Sequence, residues 1–97
     1  MMRKLLYLEI EKDFAQRFNV KHAISVNSAT TALHTAIAAC EIGPGDEVLV
    51  SPYTMVATAS AVLMNNAVPV FVDIDPETYT MNPKEIEKWI TPRTKAI

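Results

Sequence analysis

The chain has 97 residues, of which 49% are hydrophobic and 21% charged; this composition is typical of one small globular core and excludes a multidomain enzyme. Nine basic and eleven acidic residues give a net charge of −2, and because they are scattered, no basic stripe favours nucleic acid as a partner. The single cysteine excludes an internal disulfide, and together with two histidines it gives no common metal-ligand spacing.

The first predicted element is an amphipathic helix at the N-terminus. Tyr7, Ile10, Phe14 and Phe18 recur at steps of three and four residues, and the charged residues lie mostly between them. Acidic residues interrupt this stretch, so it lacks the long apolar run of a signal peptide or a membrane span. We therefore expect a soluble protein of the reducing cytoplasm with no membrane partner.

A buried strand and a second helix are predicted next. Residues 22–26 are partly β-branched and are followed by the polar pair Asn27 and Ser28, which is typical of a strand end. Ser28 is a suitable N-cap for the helix that follows it. The apolar face of this helix contains Leu33, Ile37 and Cys40.

The remaining elements continue the alternation of helix and strand. Pro69 indicates a strand entry or an edge strand, because proline cannot donate to a sheet ladder. Asn82 before Pro83 predicts an N-cap and a first helical residue, and Glu85 could complete a capping box. The predicted strands are residues 47–51, 68–73 and 94–97, and the predicted helices are residues 54–64 and a segment that begins at residue 83.

This alternation predicts an α/β protein whose parallel strands are joined by right-handed crossovers. Because the last strand begins only a few residues before Ile97, we expect an incomplete sheet and a fragment of a larger domain. The exposed sheet edge and apolar faces of such a fragment favour self-association. The predicted core consists of Leu33, Ile37, Val48, Val50, Val62, Leu63, Phe71 and Trp89.

The start of the second helix is the first candidate site. Its free backbone N–H groups, with the hydroxyls of Ser28, Thr30 and Thr31, would suit a phosphate. These residues alone favour a plain helix cap, because serine and threonine cap helices in many proteins. No glycine-rich turn is present, so a Rossmann-type nucleotide-binding fragment is a weaker alternative.

The loop at residues 51–58 is the second candidate, because it follows the carboxyl end of a predicted strand. Ligands of open α/β sheets lie outside such ends, so this loop and the one at Ser28 are expected to face one pocket that could hold a flat cofactor. The spacing is equally compatible with a turn shaped by Pro52 and Thr54, with Met55 in the core.

The other polar candidates are predicted to be structural. Asp73 and Asp75 are typical of turn and cap residues, and no third metal ligand lies near them in the sequence. His22 and His34 have no partner at a catalytic spacing. Cys40 has no basic neighbour, so we expect a buried, inert thiol.

Five segments in fixed order, KHAISVNSATTAL, IGPGDEV, SPYTMVAT, PVFVDIDPETY and ITPRTKAI, closely resemble the amino-terminal part of the DegT/DnrJ/StrS aminotransferases. These are pyridoxal-phosphate enzymes of the aspartate aminotransferase fold (PLP fold type I) that act on nucleotide-linked keto-sugars. The resemblance implies that residues 1–97 form a truncated, amino-terminal part of the large, cofactor-binding domain.

The resemblance also implies which residues contact pyridoxal 5'-phosphate. Ser28, Ala29 and Thr30 match the family's Ser-Gly/Ala-Thr segment, whose amides and threonine hydroxyl hold the cofactor phosphate. Met55 matches a position where many relatives place an aromatic ring over the pyridine ring; a thioether packs there but does not stack as an aromatic does. None of the chain's lysines matches the family's catalytic lysine, which lies downstream of Ile97, so no catalytic residue and no metal ligand is expected here.

The implied activity of the complete enzyme is transfer of an amino group from an amino acid, glutamate, to a nucleotide-sugar ketone in polysaccharide or amino-sugar biosynthesis. The family works as homodimers, and this chain alone is expected to be inactive. The alternatives are a non-catalytic remnant or binding module that needs a partner chain, and one of the family's dehydratases.

Overall fold

The computed structural model describes residues 2–97, with side chains from residue 6 onward, and contains four helices and three strands in that part of the chain. All three strands are parallel, and their order in the sheet is β2-β1-β3. The predicted α/β class is therefore confirmed. The helices are α1 (Met2–Arg17), α2 (Ala29–Ala39), α3 (Ala57–Met64) and α4 (Pro83–Trp89), and the strands are β1 (Glu47–Val50), β2 (Val68–Phe71) and β3 (Thr94–Ala96).

The central strand β1 is buried along its whole length. Val48 and Val50 join Val62 of α3 in one apolar cluster, and Leu49, which points to the other face of the sheet, is only 1% exposed. Burial on both faces is the reason that a central parallel strand is a continuous apolar run in sequence. Three predicted core residues, Val48, Val50 and Val62, are thereby confirmed.

Pro69 lies in β2, which has β1 as its one neighbour in the described sheet. Proline lacks the N–H that a second neighbour would need, so its place on an edge strand follows from its chemistry. The prediction of an edge or entry position for Pro69 is confirmed.

The helices α2 and α3 pack against each other, and α3 also contacts β1 and β2. Asn65 ends α3, and its side-chain amide donates to the carbonyl oxygens of Ala61 at 2.9 Å and of His34 at 3.3 Å. This side chain therefore ties the C-terminal end of α3 to the middle of α2.

Several predicted core residues lie at the surface instead. Leu33 is 39% exposed, and Cys40 is also exposed, so the prediction of a buried thiol is wrong. The periodicity correctly identified a helix but could not show which part of its apolar face other elements would cover, and only Ile37 packs against the core cluster. The same correction applies to Leu63, Phe71 and Trp89, which are 59%, 52% and 48% exposed.

Residues 22–26 form no strand, which corrects a second prediction. In the described part of the chain, their backbone groups make no hydrogen bond to another backbone group, and Ile24 is 79% exposed. A strand exists only where a neighbouring strand pairs with it. The apolar, β-branched pattern is present, but no described strand lies beside it.

The helix α1 confirms the first predicted element, but its apolar side is not buried. Tyr7, Ile10, Phe14 and Phe18 are between 51% and 58% exposed, and the rings of the last two lie 4.4 Å apart. The radius of gyration is 16.2 Å, compared with about 13 Å for a compact domain of 100 residues. In the described residues, no helix combines the length and the apolarity needed to cross a bilayer.

Candidate functional site

The N-terminus of α2 is capped as the sequence predicts. Ser28 has an extended backbone (φ −159°, ψ 158°), and its hydroxyl oxygen accepts a hydrogen bond from the amide of Thr31 at 3.1 Å. The Ser28 carbonyl accepts the next amide, that of Ala32, at 3.0 Å. The Ala32 bond is the first intrahelical one, so among the four amides that a helix start leaves without an intrahelical carbonyl, those of residues 28–31, the cap gives a partner to Thr31.

The hydroxyl groups around this cap form a directed chain. Thr31 donates its hydroxyl proton to the side-chain oxygen of Asn27 at 2.8 Å. The oxygens of Ser28 and Thr31 lie 2.9 Å apart, and because the Thr31 proton is already given to Asn27, Ser28 is the donor in this pair. Both protons are thus used inside the cap, a role for Asn27 and Thr31 that the sequence analysis missed.

Three donors in the first turn of α2 remain free, as does the amide of Ser28 among the described residues. In the described part of the chain, neither the amides of Ala29 and Thr30 nor the Thr30 hydroxyl has a hydrogen-bond partner. The first turn contains no acidic residue that would repel an anion. Free amides at the positive end of a helix dipole favour binding of a phosphate group, so the donors present fit a phosphate monoester.

Glu11 of α1 holds the chain segment that leads into this helix start. One of its carboxylate oxygens accepts from both the amide and the hydroxyl of Ser25, each at 2.7 Å. These hydrogen bonds, the amide first, lower the pKa of Glu11 below its ordinary value. A groove of about 380 Å³ lies between α1 and residues 25–27.

The second candidate loop follows β1 and is open to solvent. The predicted helix at residues 54–64 begins later, at Ala57, so Met55 lies in the loop and is 74% exposed. Met55 is therefore not a core residue. This excludes the interpretation of the segment as a turn with Met55 in the core. It does not line the groove beside α1, and the pocket expected between the two loops stays a prediction.

A pair of tyrosines lies beyond the carboxyl ends of β1 and β2. The ring centroids of Tyr53 and Tyr79 are 5.7 Å apart with an interplanar angle of 40°. Tyr79 has a φ of 58°, in the left-handed region that bulky residues rarely adopt and that costs of the order of 1–3 kcal/mol. Neither tyrosine is predicted as a site residue from the sequence.

The loop that carries Tyr79 is closed by Asp75. Its carboxylate accepts from the amides of Glu77 at 2.8 Å and Thr78 at 3.2 Å, and its own amide donates to the carbonyl of Thr80 at 2.9 Å. Asp75 is therefore a turn residue, as predicted. Among the described side chains, no group of three or more potential metal ligands is present.

The described lysines, Lys12, Lys21, Lys84, Lys88 and Lys95, are all exposed, whereas the side chain of Lys4 lies outside the described part. A lysine that forms a Schiff base is commonly desolvated or placed beside another cation. Lys88 instead pairs with Glu85 at 2.6 Å, and the capping box expected at α4 does not form, because the Asn82 amide donates to the Asp73 carbonyl at 3.0 Å. The absence of the catalytic lysine stays a prediction.

Comparison with known proteins decides the family. The model of the DegT/DnrJ/EryC1/StrS aminotransferase family matches residues 6–97. The chain belongs to this family. It is 52% identical over 90 residues to the GDP-perosamine synthase of Caulobacter vibrioides, covering 93% of this chain and 24% of that protein. It is 48% identical over 89 residues to the spore coat polysaccharide biosynthesis protein SpsC of Bacillus subtilis, covering 92% and 23%.

Solved structures of this aminotransferase family have the same fold over the matched part. DesV of S. venezuelae, in complex with a ketimine intermediate, superposes with a TM-score of 0.86 at 41% identity, covering 91% of this chain and 24% of that one. NtdA of Bacillus subtilis, with bound PMP, has a TM-score of 0.85 at 38% identity, covering 91% and 20%. The chain thus spans about a quarter of the length of the curated relatives it matches. The expected partial cofactor-domain fold and the PLP dependence of the family are confirmed.

Proposed function

We propose that residues 1–97 form the phosphate-binding part of the cofactor domain of a nucleotide-sugar aminotransferase. The observation that carries the proposal is the set of three free donors at the start of α2, on a chain of a PLP-dependent family. The amides of Ala29 and Thr30 and the Thr30 hydroxyl would donate to the cofactor phosphate. Ser28 would keep the helix start in shape rather than give its proton to the phosphate, because that proton goes to Thr31.

Met55 is proposed to pack against the pyridine ring of the cofactor. Its exposed thioether lies on the loop after β1, and sulfur–aromatic contacts contribute about 0.3–1.5 kcal/mol. When bound, pyridoxal phosphate supplies the electrophilic carbon and the electron sink for amino transfer. The residues of this chain would bind and orient the cofactor, and a lysine outside these 97 residues would supply the reactive amine.

The substrates proposed for the complete protein are an amino acid, glutamate, as amino donor and a nucleotide-linked keto-sugar as acceptor. Two of the relatives, a GDP-perosamine synthase and a spore coat polysaccharide biosynthesis protein, support this class of substrate. We infer a homodimer in the cytoplasm for the complete enzyme, and no transamination by this chain alone. A non-catalytic remnant or binding module and a family dehydratase are the competing proposals.

A phosphate-specific titration tests the site. Pyridoxine 5'-phosphate lacks the aldehyde that reacts with lysines, so its affinity relative to that of pyridoxine isolates the phosphate contribution. We expect Thr30→Val to lower the affinity for pyridoxine 5'-phosphate about tenfold, because a hydrogen bond to a charged group contributes about 1.5–3 kcal/mol. Isothermal titration calorimetry of the 97-residue chain measures the effect.

The matched variants give this titration its controls. Thr30→Ser keeps the hydroxyl and is expected to retain most of the affinity, and Thr35→Val removes an exposed hydroxyl elsewhere on α2 and is expected to change nothing. Equal affinities for pyridoxine and its phosphate, or an unchanged Thr30→Val variant, would contradict the proposed site.

A further inference from the structure

The rings of Tyr53 and Tyr79 share one edge of the sheet. Tyr53 follows the carboxyl end of β1, Tyr79 follows that of β2, and these two strands are hydrogen-bonded neighbours. The residues are 68% and 60% exposed although their rings are 5.7 Å apart. The pair therefore covers little of the core and presents aromatic surface at the edge where open α/β sheets bind ligands.

The backbone at Tyr79 argues against a purely structural role for its ring. Its φ of 58° suits glycine or asparagine, and the other non-glycine residues with positive φ in the described chain are Asn19, Glu41 and Asn66, each just after a helix. A glycine at position 79 would relieve the strain. With 60% of the residue exposed, most of the ring surface remains available to a ligand despite the strained backbone.

The charges of the loop indicate what kind of group the rings suit. Asp73, Asp75 and Glu77 carry negative charge within six residues of Tyr79, and the Asp75 carboxylate is engaged in the turn. An anionic group is repelled there, whereas a neutral planar group can stack on a ring without that penalty. A nucleobase is such a group, and bases of any sequence stack on aromatic side chains.

We propose that Tyr53 and Tyr79 form a stacking platform for the nucleobase of the nucleotide-sugar substrate. This inference rests on the proposed function and adds to it the place where this chain holds the substrate. The phosphates and the sugar of the substrate lie away from the acidic loop, and the base lies against the tyrosines.

Titration with GDP and with inorganic pyrophosphate, followed by NMR, tests the platform. The H8 resonance of the guanine base is expected to shift upfield through the ring currents of the tyrosines. Pyrophosphate is expected to leave the Tyr53 and Tyr79 ring resonances unchanged. Loss of base–aromatic stacking costs about 1–3 kcal/mol, so Tyr53→Leu and Tyr79→Leu are each expected to lower the affinity for GDP at least fivefold. Tyr7→Leu, on the exposed face of α1, is the matched control and is expected to leave GDP binding unchanged.

Two further variants at position 79 separate binding from folding. Tyr79→Phe keeps the ring and is expected to bind GDP as the unsubstituted chain does. Tyr79→Gly removes the backbone strain, so it is expected to keep the fold and to lose GDP affinity. GDP binding that survives Tyr79→Gly and Tyr53→Leu, or a GDP affinity no greater than that of pyrophosphate, overturns the platform.

The same variants distinguish this inference from the cofactor site. Thr30→Val is expected to lower the affinity for pyridoxine 5'-phosphate and to leave GDP binding unchanged. The tyrosine variants are expected to lower the affinity for GDP and to leave pyridoxine 5'-phosphate binding unchanged. If only the GDP titration gives the contrary result, the platform is overturned and the proposed cofactor site is unaffected.

Discussion

At the scale of single residues, Glu47 makes the most connected side-chain contact in the described chain. It is 7% exposed, and its carboxylate accepts from the Thr91 hydroxyl at 2.6 Å and from the Arg93 Nε at 2.8 Å. The Thr91 hydrogen bond first, and then Arg93, lower the pKa of Glu47 below its ordinary value. This contact joins the start of β1 to the turn before β3.

The lowered pKa makes the contribution of Glu47 to stability dependent on pH. A carboxyl group whose pKa is lower in the folded state stabilises the fold fully above its unfolded pKa of about 4.3, and this stabilisation is lost as the pH falls through the folded value. We expect urea midpoints to fall between pH 6 and pH 3, and Glu47→Gln to reduce that fall. Circular dichroism during urea unfolding at several pH values provides the measurement.

Two other carboxyl groups are needed to interpret the pH dependence of the urea midpoints. Glu11 also has a lowered pKa, so part of the pH dependence is expected to persist in Glu47→Gln. Glu87 is exposed, and Glu87→Gln serves as the control. A Glu47→Gln variant with the same pH dependence as the unsubstituted chain would show that the contact does not stabilise the fold.

At the scale of elements, the caps of α2 and α4 were predicted from sequence because capping is local. Ser28 accepts from the amide three residues on, and Asn82 accepts from the Lys84 amide at 3.0 Å. Each contact depends on the identity of one residue and on the few residues after it. The same holds for the Asp75 turn.

Substitution of the α2 cap tests the division of roles at the site. Ser28→Ala leaves the Thr31 amide without its acceptor, so the free energy of unfolding is expected to fall by about 1 kcal/mol. Because Ser28→Ala leaves the free donors of Ala29 and Thr30 in place, pyridoxine 5'-phosphate affinity is expected to fall less in Ser28→Ala than in Thr30→Val. Chemical denaturation and calorimetry measure the two effects, and the reverse ranking would assign the phosphate contact to Ser28.

Elements that depend on distant partners were less predictable. Residues 22–26 have the composition of a strand, but pairing requires a neighbour that no local pattern identifies. The contact of Glu47 with Arg93 joins residues 46 positions apart, and no local sequence pattern predicts it. At the candidate site, the Asn27–Thr31 hydrogen bond determines that the Ser28 and Thr31 hydroxyl protons are used within the cap, so the sequence located the site but not the donors available to a ligand.

At the scale of the whole molecule, much apolar surface is exposed. The side chains along α1 are more than 45% exposed at Leu6, Leu8 and Phe14, and the chain extends over 50 × 33 × 23 Å. Exposed apolar surface on this scale commonly marks an interaction face or a tendency to aggregate. The relatives are about four times longer, which is consistent with part of this surface being covered in a complete family member.

We expect the isolated chain to self-associate through such surfaces. In sedimentation velocity experiments, the weight-average sedimentation coefficient should rise with protein concentration. Phe14→Glu places a charge on the exposed face of α1 and is expected to reduce this rise, whereas Gln16→Glu, at another exposed α1 position, adds the same charge without removing an apolar side chain and is the control. A compact monomer at all concentrations would contradict this expectation.

The central claim is that the start of α2 holds the phosphate of pyridoxal phosphate. The most direct measurement is a residue-resolved NMR titration of the 97-residue chain with pyridoxine 5'-phosphate, with pyridoxine as the reference ligand. We predict large amide shifts at Ala29 and Thr30 that require the phosphate group, because these two amides lack acceptors in the described structure. Phosphate-dependent shifts confined to other residues, or their absence at Ala29 and Thr30, would contradict the account.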